Sequence, residues 1–154
     1  MKFNKVTLEA IKADLIESIK LTGTRINPEQ ICILDCGCPH EITTLPKGKM
    51  AVYSFFHGNE CLKIGKAGPN SNARFNSQHY NPNNSKSNLA NSILTNKFPV
   101  KTTSNEIGNW IKNNTQRINF LLDDKLGIFV LNFVEAFLHL KFKPKFEGSK
   151  NQNN

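Results

Sequence analysis

Residues 53 to 80 contain side chains that can hold a phosphate group or move a proton. Phenols stand at Tyr53 and Tyr80, ammonium groups at Lys63 and Lys66, and a guanidinium at Arg74. Lysine and arginine bind phosphate oxygens, and arginine does so through a planar fork of donors. Nearby positive charge lowers the pKa of a phenol, which could then orient or deprotonate water. These residue types therefore predict chemistry on a phosphate.

The elements that carry these residues are predicted to be a β-hairpin and a following helix. Residues 50 to 56 and 61 to 65 are rich in apolar, aromatic and β-branched residues, and the turn His-Gly-Asn-Glu joins them. Side chains alternate between the two faces of a strand, so Tyr53 and Lys63 can share an exposed face. Ser71 or Asn72 can begin the helix that carries Arg74.

A later helix supplies a carboxylate. Residues 118 to 122 predict a third strand, and the helix after it has apolar residues at spacings of three and four. This pattern predicts a buried face made of Leu126, Phe129, Val130, Phe133, Phe137 and Leu140. Asn132, Glu135 and His139 then share the opposite, polar face. Glu135 has no positive partner on its helix and belongs to a strongly basic protein, which makes it a candidate ligand for a divalent cation.

Taken in order, these motifs resemble those of the GIY-YIG nuclease superfamily over roughly residues 50 to 148. Residues 51 to 53, Ala-Val-Tyr, stand where the first tripeptide of that family is expected, and residues 63 to 65, Lys-Ile-Gly, stand where the second is expected. A lysine thus replaces the tyrosine of the second motif, and Glu147 stands where the family has an asparagine. The ordered set is more specific than any single motif.

The resemblance implies a site and a reaction. Glu135 would bind one Mg²⁺ or Mn²⁺ ion, and Arg74 would hold the non-bridging phosphate oxygens. Tyr53 would activate or orient the attacking water, with Lys63 and Lys66 lowering its pKa. The implied function is metal-dependent hydrolysis of DNA phosphodiester bonds, by an endonuclease of the restriction, repair or mobile-element type.

The family often places a tyrosine or histidine shortly after the arginine. Tyr80 or His79 would therefore stand near the scissile phosphate. The resemblance does not fix the oligomeric state: one site cuts one strand per encounter, so double-strand cleavage would require a dimer or sequential nicking.

The predicted fold is α+β, with a small three-stranded antiparallel sheet flanked by helices. Residues 1 to 48 form an N-terminal extension that begins with an amphipathic helix ended by Gly23. An irregular connection follows, with one short strand at residues 31 to 34 that packs over the sheet. Residues 49 to 150 form the nuclease-like domain, with a helical insertion at about residues 81 to 116.

Positive charge is concentrated in the part of the chain that carries the motifs. The chain has 20 lysines and arginines against 12 acidic residues, a net charge of +8. Residues 1 to 41 hold five basic and six acidic residues, whereas residues 42 to 154 hold fifteen and six. Such a surface is typical of proteins that neutralise nucleic-acid phosphates, although a solvated lysine-rich surface gives the same composition. DNA is the expected partner.

No apolar run is long enough to cross a bilayer, because charged residues interrupt the N-terminal apolar segment. We therefore expect a cytoplasmic protein without a membrane partner. Cys32, Cys36 and Cys38, with His40, could be a zinc site. Their spacing does not match the paired short hooks of structural zinc sites, so reduced thiols are the other interpretation.

Two further functions stay open at this point. A non-catalytic nucleic-acid-binding module on the same scaffold would keep the basic surface without a working site. A structural or protein-interaction domain, or another intracellular enzyme, would need neither the basic surface nor the nuclease site. DNA cleavage in the presence of a divalent cation, and the salt dependence of DNA binding, separate the three.

Overall fold

A computed structural model describes residues 5–85, 87–96 and 98–146. Within these ranges the chain forms four β-strands and five α-helices. The strands are β1 (Ile31–Asp35), β2 (Lys49–His57), β3 (Glu60–Ala67) and β4 (Gln116–Asp123). The helices are α1 (Lys5–Leu21), α2 (Asn72–Asn76), α3 (Leu89–Thr95), α4 (Ile107–Asn114) and α5 (Gly127–Phe142). Glu147, at the last motif of the resemblance, lies outside the described residues.

The four strands form one antiparallel sheet in the order β1, β4, β2, β3. The α+β class predicted from the sequence is confirmed, but the prediction of three strands is wrong. The short strand at residues 31 to 35 does not pack over the sheet; it extends it, with Ile31 opposite Leu122. Pairing with β1 satisfies backbone groups that β4 would otherwise present at an open edge.

Helices cover both faces of the sheet. One buried cluster joins α1 and α5 to one face, through residues such as Leu15, Val52 and Leu131. A second cluster joins α2, α3 and α4 to the other face, through residues such as Phe55 and Ile111. Because both faces are covered, the residues of β2 from Met50 to Phe56 are all buried.

Helix α1 packs against the sheet through the first cluster, and β1 is a strand of that sheet. Gly23 ends α1 as predicted: its φ is 83° and its N–H donates to the carbonyl of Lys20. In the described parts of the chain, none of the helices has the length and apolar composition that crossing a bilayer requires.

The buried face of α5 differs from the predicted one. Its buried residues are Val130, Leu131, Val134 and Leu138, whereas Phe129 is 86% exposed and Leu140 is 77% exposed. The helix has apolar residues on several sides, so spacing alone does not decide which side faces the sheet. The observed rotation places Glu135 beside the buried face, next to Val134.

Candidate active site at the edge of the sheet

A polar pocket of ≈ 120 Å³ lies beside β3, the last strand of the sheet. Lys63 on β3, Arg74 on α2, His79 in the 3₁₀ turn after α2, and Glu135 on α5 all line it. The remaining lining residues are Ile64, Gly65, Gln78, Ser87 and Asn88. Helices from opposite faces of the sheet reach one pocket because β3 has no further strand beside it. The structure thus brings three of the predicted site residues, Lys63, Arg74 and Glu135, together.

Tyr53 lies under this pocket and does not line it. It is fully buried, and it stands opposite Gly65 in the pairing of β2 with β3. A Cβ atom at residue 65 would lie 2.7 Å from Cε2 and 2.8 Å from the hydroxyl oxygen of Tyr53. Only glycine lets the phenol pass over the strand, so the glycine of the second motif is required by the tyrosine of the first.

A chain of hydrogen bonds fixes the protons of His79 and Tyr53. The Leu89 N–H lies 3.2 Å from Nδ1 of His79 and donates to it, so that nitrogen carries no proton. The proton of the neutral ring is therefore on Nε2, which donates to the Tyr53 hydroxyl oxygen at 2.9 Å. The Tyr53 hydroxyl in turn donates to the Arg74 carbonyl at 3.1 Å. Both nitrogens of His79 are engaged.

The expectation that Lys63 and Lys66 lower the pKa of Tyr53 is wrong. Burial raises the pKa of the Tyr53 phenol to about 12, against the positive charges of Arg74 and Arg117. Lys66 extends from the other face of β3, because consecutive side chains alternate. At neutral pH the Tyr53 phenol is therefore protonated, and it is buried from solvent.

Lys63 shares the face of Tyr53, as predicted, but that face is covered. Its side chain is only 6% exposed, and Nζ donates to the Phe146 carbonyl at 3.2 Å. The chain after α5 runs along β3: the N–H groups of Lys145 and Phe146 donate to the carbonyls of Cys61 and Leu62. Lys63 thus lines the pocket while its ammonium is bonded to this segment.

Glu135 has a cationic partner on another element, Lys66 of β3. Lys66 Nζ lies 2.6 Å from Glu135 Oε2 and 2.8 Å from Asn132 Oδ1. The carboxylate and the amide oxygen thus meet at one positive charge. Oxygen donors of this kind suit Mg²⁺ and Mn²⁺, which are bound through one or two carboxylates while keeping several waters. The donor set fits the divalent cation that the resemblance implies.

Tyr80 lies away from the pocket, in a buried network. Its hydroxyl accepts from Arg117 Nη1 at 2.9 Å and donates to His40 Nε2 at 2.9 Å. Nδ1 of His40 donates to the Thr115 carbonyl at 2.7 Å. Burial raises the pKa of Tyr80. Of the two residues expected near the scissile phosphate, His79 lines the pocket and Tyr80 does not.

Arg117 is the central residue that the sequence did not reveal. It is 1% exposed; its Nη2 donates to the Phe75 carbonyl and its Nε to Asn119 Oδ1. Its guanidinium also lies 5.1 Å from the ring centroid of Tyr53 and 4.6 Å from that of Phe75. Among the described residues no carboxylate pairs with it. Its position inside the apolar strand at residues 116 to 123 is the one signal that could have marked it as buried.

The cysteine cluster does not form the zinc site considered above. Both ring nitrogens of His40 are bonded within the protein, and Cys36 Sγ accepts from Asn119 Nδ2 at 3.1 Å. Over residues 5–85, 87–96 and 98–146, no group of three histidine, cysteine or acidic side chains could hold a metal. Burial raises the pKa of the Cys36 thiol, which favours its neutral form.

The pocket combines exposed and buried cations with one acid. Arg74 is exposed and can meet a ligand from solvent, whereas Lys63 lies in the wall. Such a set of donors can bind an anionic oxygen group, such as a phosphate or a carboxylate. Comparison with known proteins adds no further assignment: no family model, curated protein or solved structure matches the chain.

Proposed function

We propose that this protein is a metal-dependent endonuclease that hydrolyses DNA phosphodiester bonds. The observation that supports this best is the convergence of Arg74, Lys63 and Glu135 on one polar pocket. These residues come from α2, β3 and α5, which are far apart in the sequence. Each has the chemistry that phosphodiester hydrolysis requires, because the reaction needs a cation ligand and donors for the phosphoryl oxygens.

Arg74 and Lys63 are the groups that stabilise charge on the phosphate. The Arg74 guanidinium is exposed at the pocket and presents paired donors to two non-bridging oxygens. Lys63 is held by the Phe146 carbonyl at 3.2 Å, so its ammonium is already in position when a phosphate arrives. Preorganised donors of this kind stabilise the transition state without reorganising.

Glu135 holds the divalent cation in this proposal. When bound there, the ion supplies Lewis acidity and lowers the pKa of its bound water. Neither Tyr53 nor His79 is placed to activate water as a base. Tyr53 and His79 act as positioning residues. Their hydrogen-bond chain ties the Arg74 carbonyl to the Leu89 N–H, and so fixes the two segments between which the pocket opens.

Plasmid cleavage with Mg²⁺ or Mn²⁺ tests the proposal. We expect the wild type to convert supercoiled DNA into nicked or linear forms, and Glu135→Gln to reduce that rate by at least about a hundredfold. Glu60→Gln is the matched control, because Glu60 also forms a lysine ion pair, with Lys145 at 2.8 Å, but does not line the pocket. Equal cleavage rates for the two variants would refute the role of Glu135.

The second candidate is a nucleic-acid-binding module without catalysis. The observation in its favour is that Glu135 already forms an ion pair with Lys66, with 2.6 Å between Oε2 and Nζ. If that ion pair is permanent, the pocket binds phosphate and does not load a metal. Wild-type protein that binds the plasmid but leaves it intact over a range of Mg²⁺ and Mn²⁺ concentrations would establish this alternative.

A further inference from the structure

We propose that the Lys66 ammonium occupies the position of the divalent cation, and that metal and ammonium exchange between Glu135 and Asn132. Asn132 is then a second ligand of the metal, and Lys66 is a tethered competitor that metal loading displaces. This inference rests on the proposed function, because it concerns the cation of the same site.

The geometry around the ammonium carries the inference. One point in space, the Lys66 nitrogen, lies 2.6 Å from Glu135 Oε2 and 2.8 Å from Asn132 Oδ1. Glu135 and Asn132 are three residues apart on α5 and therefore share one face of the helix. The Glu135 oxygen must move inward by about 0.5 Å and the Asn132 oxygen by about 0.7 Å to reach the 2.0–2.1 Å distance that Mg²⁺ requires.

Metal and ammonium cannot share this position. Both are positive, and two charges within a few ångströms repel strongly where water is partly excluded. The site is half-buried, with side-chain exposures of 32% for Lys66 and 23% for Glu135. The ion must therefore displace the ammonium. The free energy needed to break the ion pair lowers the affinity of the site for the metal.

The displaced ammonium can bind a phosphate in the pocket. Lys66 Nζ lies 2.6 Å from Oε2 of Glu135, which lines the pocket, so the flexible lysine side chain can turn from Glu135 toward a phosphate there. Metal binding would then add a free cation to the phosphate site at the same moment that it completes the metal site. Loading of the ion and binding of the phosphate become coupled through one lysine.

Calorimetric titration with Mn²⁺ in the absence of DNA tests the exchange. We expect Lys66→Met to bind Mn²⁺ about fivefold more tightly than the wild type, the effect of removing one partly exposed ion pair. Lys66→Arg keeps the competing charge and should not show this gain. Adding Asn132→Ala to Lys66→Met should weaken binding by at least about tenfold, the loss that even an outer partner of a metal ligand causes.

Lys141→Met is the control, because it breaks another lysine ion pair, with Asp14 at 3.1 Å, away from the pocket. A Lys66→Met variant that binds Mn²⁺ no more tightly than the wild type, or not at all up to about 10 mM, would overturn the exchange. An unchanged affinity after Asn132→Ala would remove Asn132 as a ligand. Protein that shows the expected affinities but cuts no plasmid would support the exchange and refute the nuclease proposal.

Discussion

Burial changes the role of the tyrosine that the motif points to. Tyr53 has the sequence position of a catalytic group, but its hydroxyl lies beneath the pocket and is bonded to His79 and the Arg74 carbonyl. Desolvation outweighs the neighbouring positive charges and raises its pKa to about 12. Tyr53 therefore supports Arg74 and His79, two residues that line the pocket.

Gly65→Ala tests the support that the strand gives to Tyr53. The new methyl group would lie 2.7 Å from the phenol ring, which must then shift within a packed core. We expect a loss of about 1–3 kcal/mol in the free energy of unfolding, the range for overpacking, measured by urea denaturation. Gly68→Ala is the control, since its nearest neighbour would be Ser71 Oγ at 3.9 Å. Equal stabilities of the two variants would contradict the close packing described here.

His40 makes the stability of the protein depend on pH. Its ring is bonded to the Thr115 carbonyl and the Tyr80 hydroxyl, an arrangement that the neutral form satisfies. Burial lowers the pKa of His40 below its ordinary value of 6.5. The positive charges of Arg117 and Lys112 act in the same direction, and the Thr115 carbonyl opposes them.

The sign of the pH effect follows from that lowered pKa. Below about pH 6.5, His40 binds a proton in the unfolded chain but not yet in the folded protein. The free energy of unfolding therefore decreases as the pH falls through this window. We expect Tm to drop between about pH 7.5 and about pH 5.5 in the wild type, and to drop less in His40→Gln. His57→Gln, which replaces an exposed histidine, is the matched control variant. Parallel curves for wild type and His40→Gln would exclude this role of His40.

At the scale of elements, the hairpin could be predicted from the sequence and the late helix only in part. The signals for β2 and β3 are local: a turn, and on either side of it a run rich in apolar, aromatic and β-branched residues. Helix α5 was predicted at the right place, but its rotation was not, because apolar residues surround it on several sides. Which side faces the sheet is decided by packing against α1 and β3, and no local pattern records that choice.

The ion pair between Lys66 and Glu135 shows the same limit. Its partners are 69 residues apart, so it exists only once α5 has docked against β3 in one rotation. The convergence of Arg74 and Glu135 also depends on this docking, and the resemblance anticipated it where residue patterns alone could not. The Arg117 network went unpredicted because a basic residue in a strand is ordinarily solvated, and its burial depends on carbonyl and hydroxyl partners from distant segments.

At the scale of the whole molecule, charge separates the two halves of the chain. Residues 1 to 41 carry a slight acidic excess and residues 42 to 154 a strong basic excess, and the polar pocket is built entirely from the latter. A chain that binds DNA through this pocket should therefore release counterions mainly there. Both functional candidates share this expectation, because it concerns binding and not cleavage.

The salt dependence of DNA binding measures how much a single residue contributes to this release of counterions. In fluorescence anisotropy without divalent cations, we expect Arg74→Met to weaken binding and to reduce the slope of log Kd against log salt by about one, the effect of losing one phosphate contact. Arg25→Met removes the same charge from an exposed position in the acidic part of the chain, and should leave the slope unchanged. If both variants lower the slope equally, the pocket is not the place where phosphate binds, and attraction comes from net charge spread over the surface. Because cleavage plays no part in this measurement, the result assigns the phosphate site whether the protein is an enzyme or a binding module.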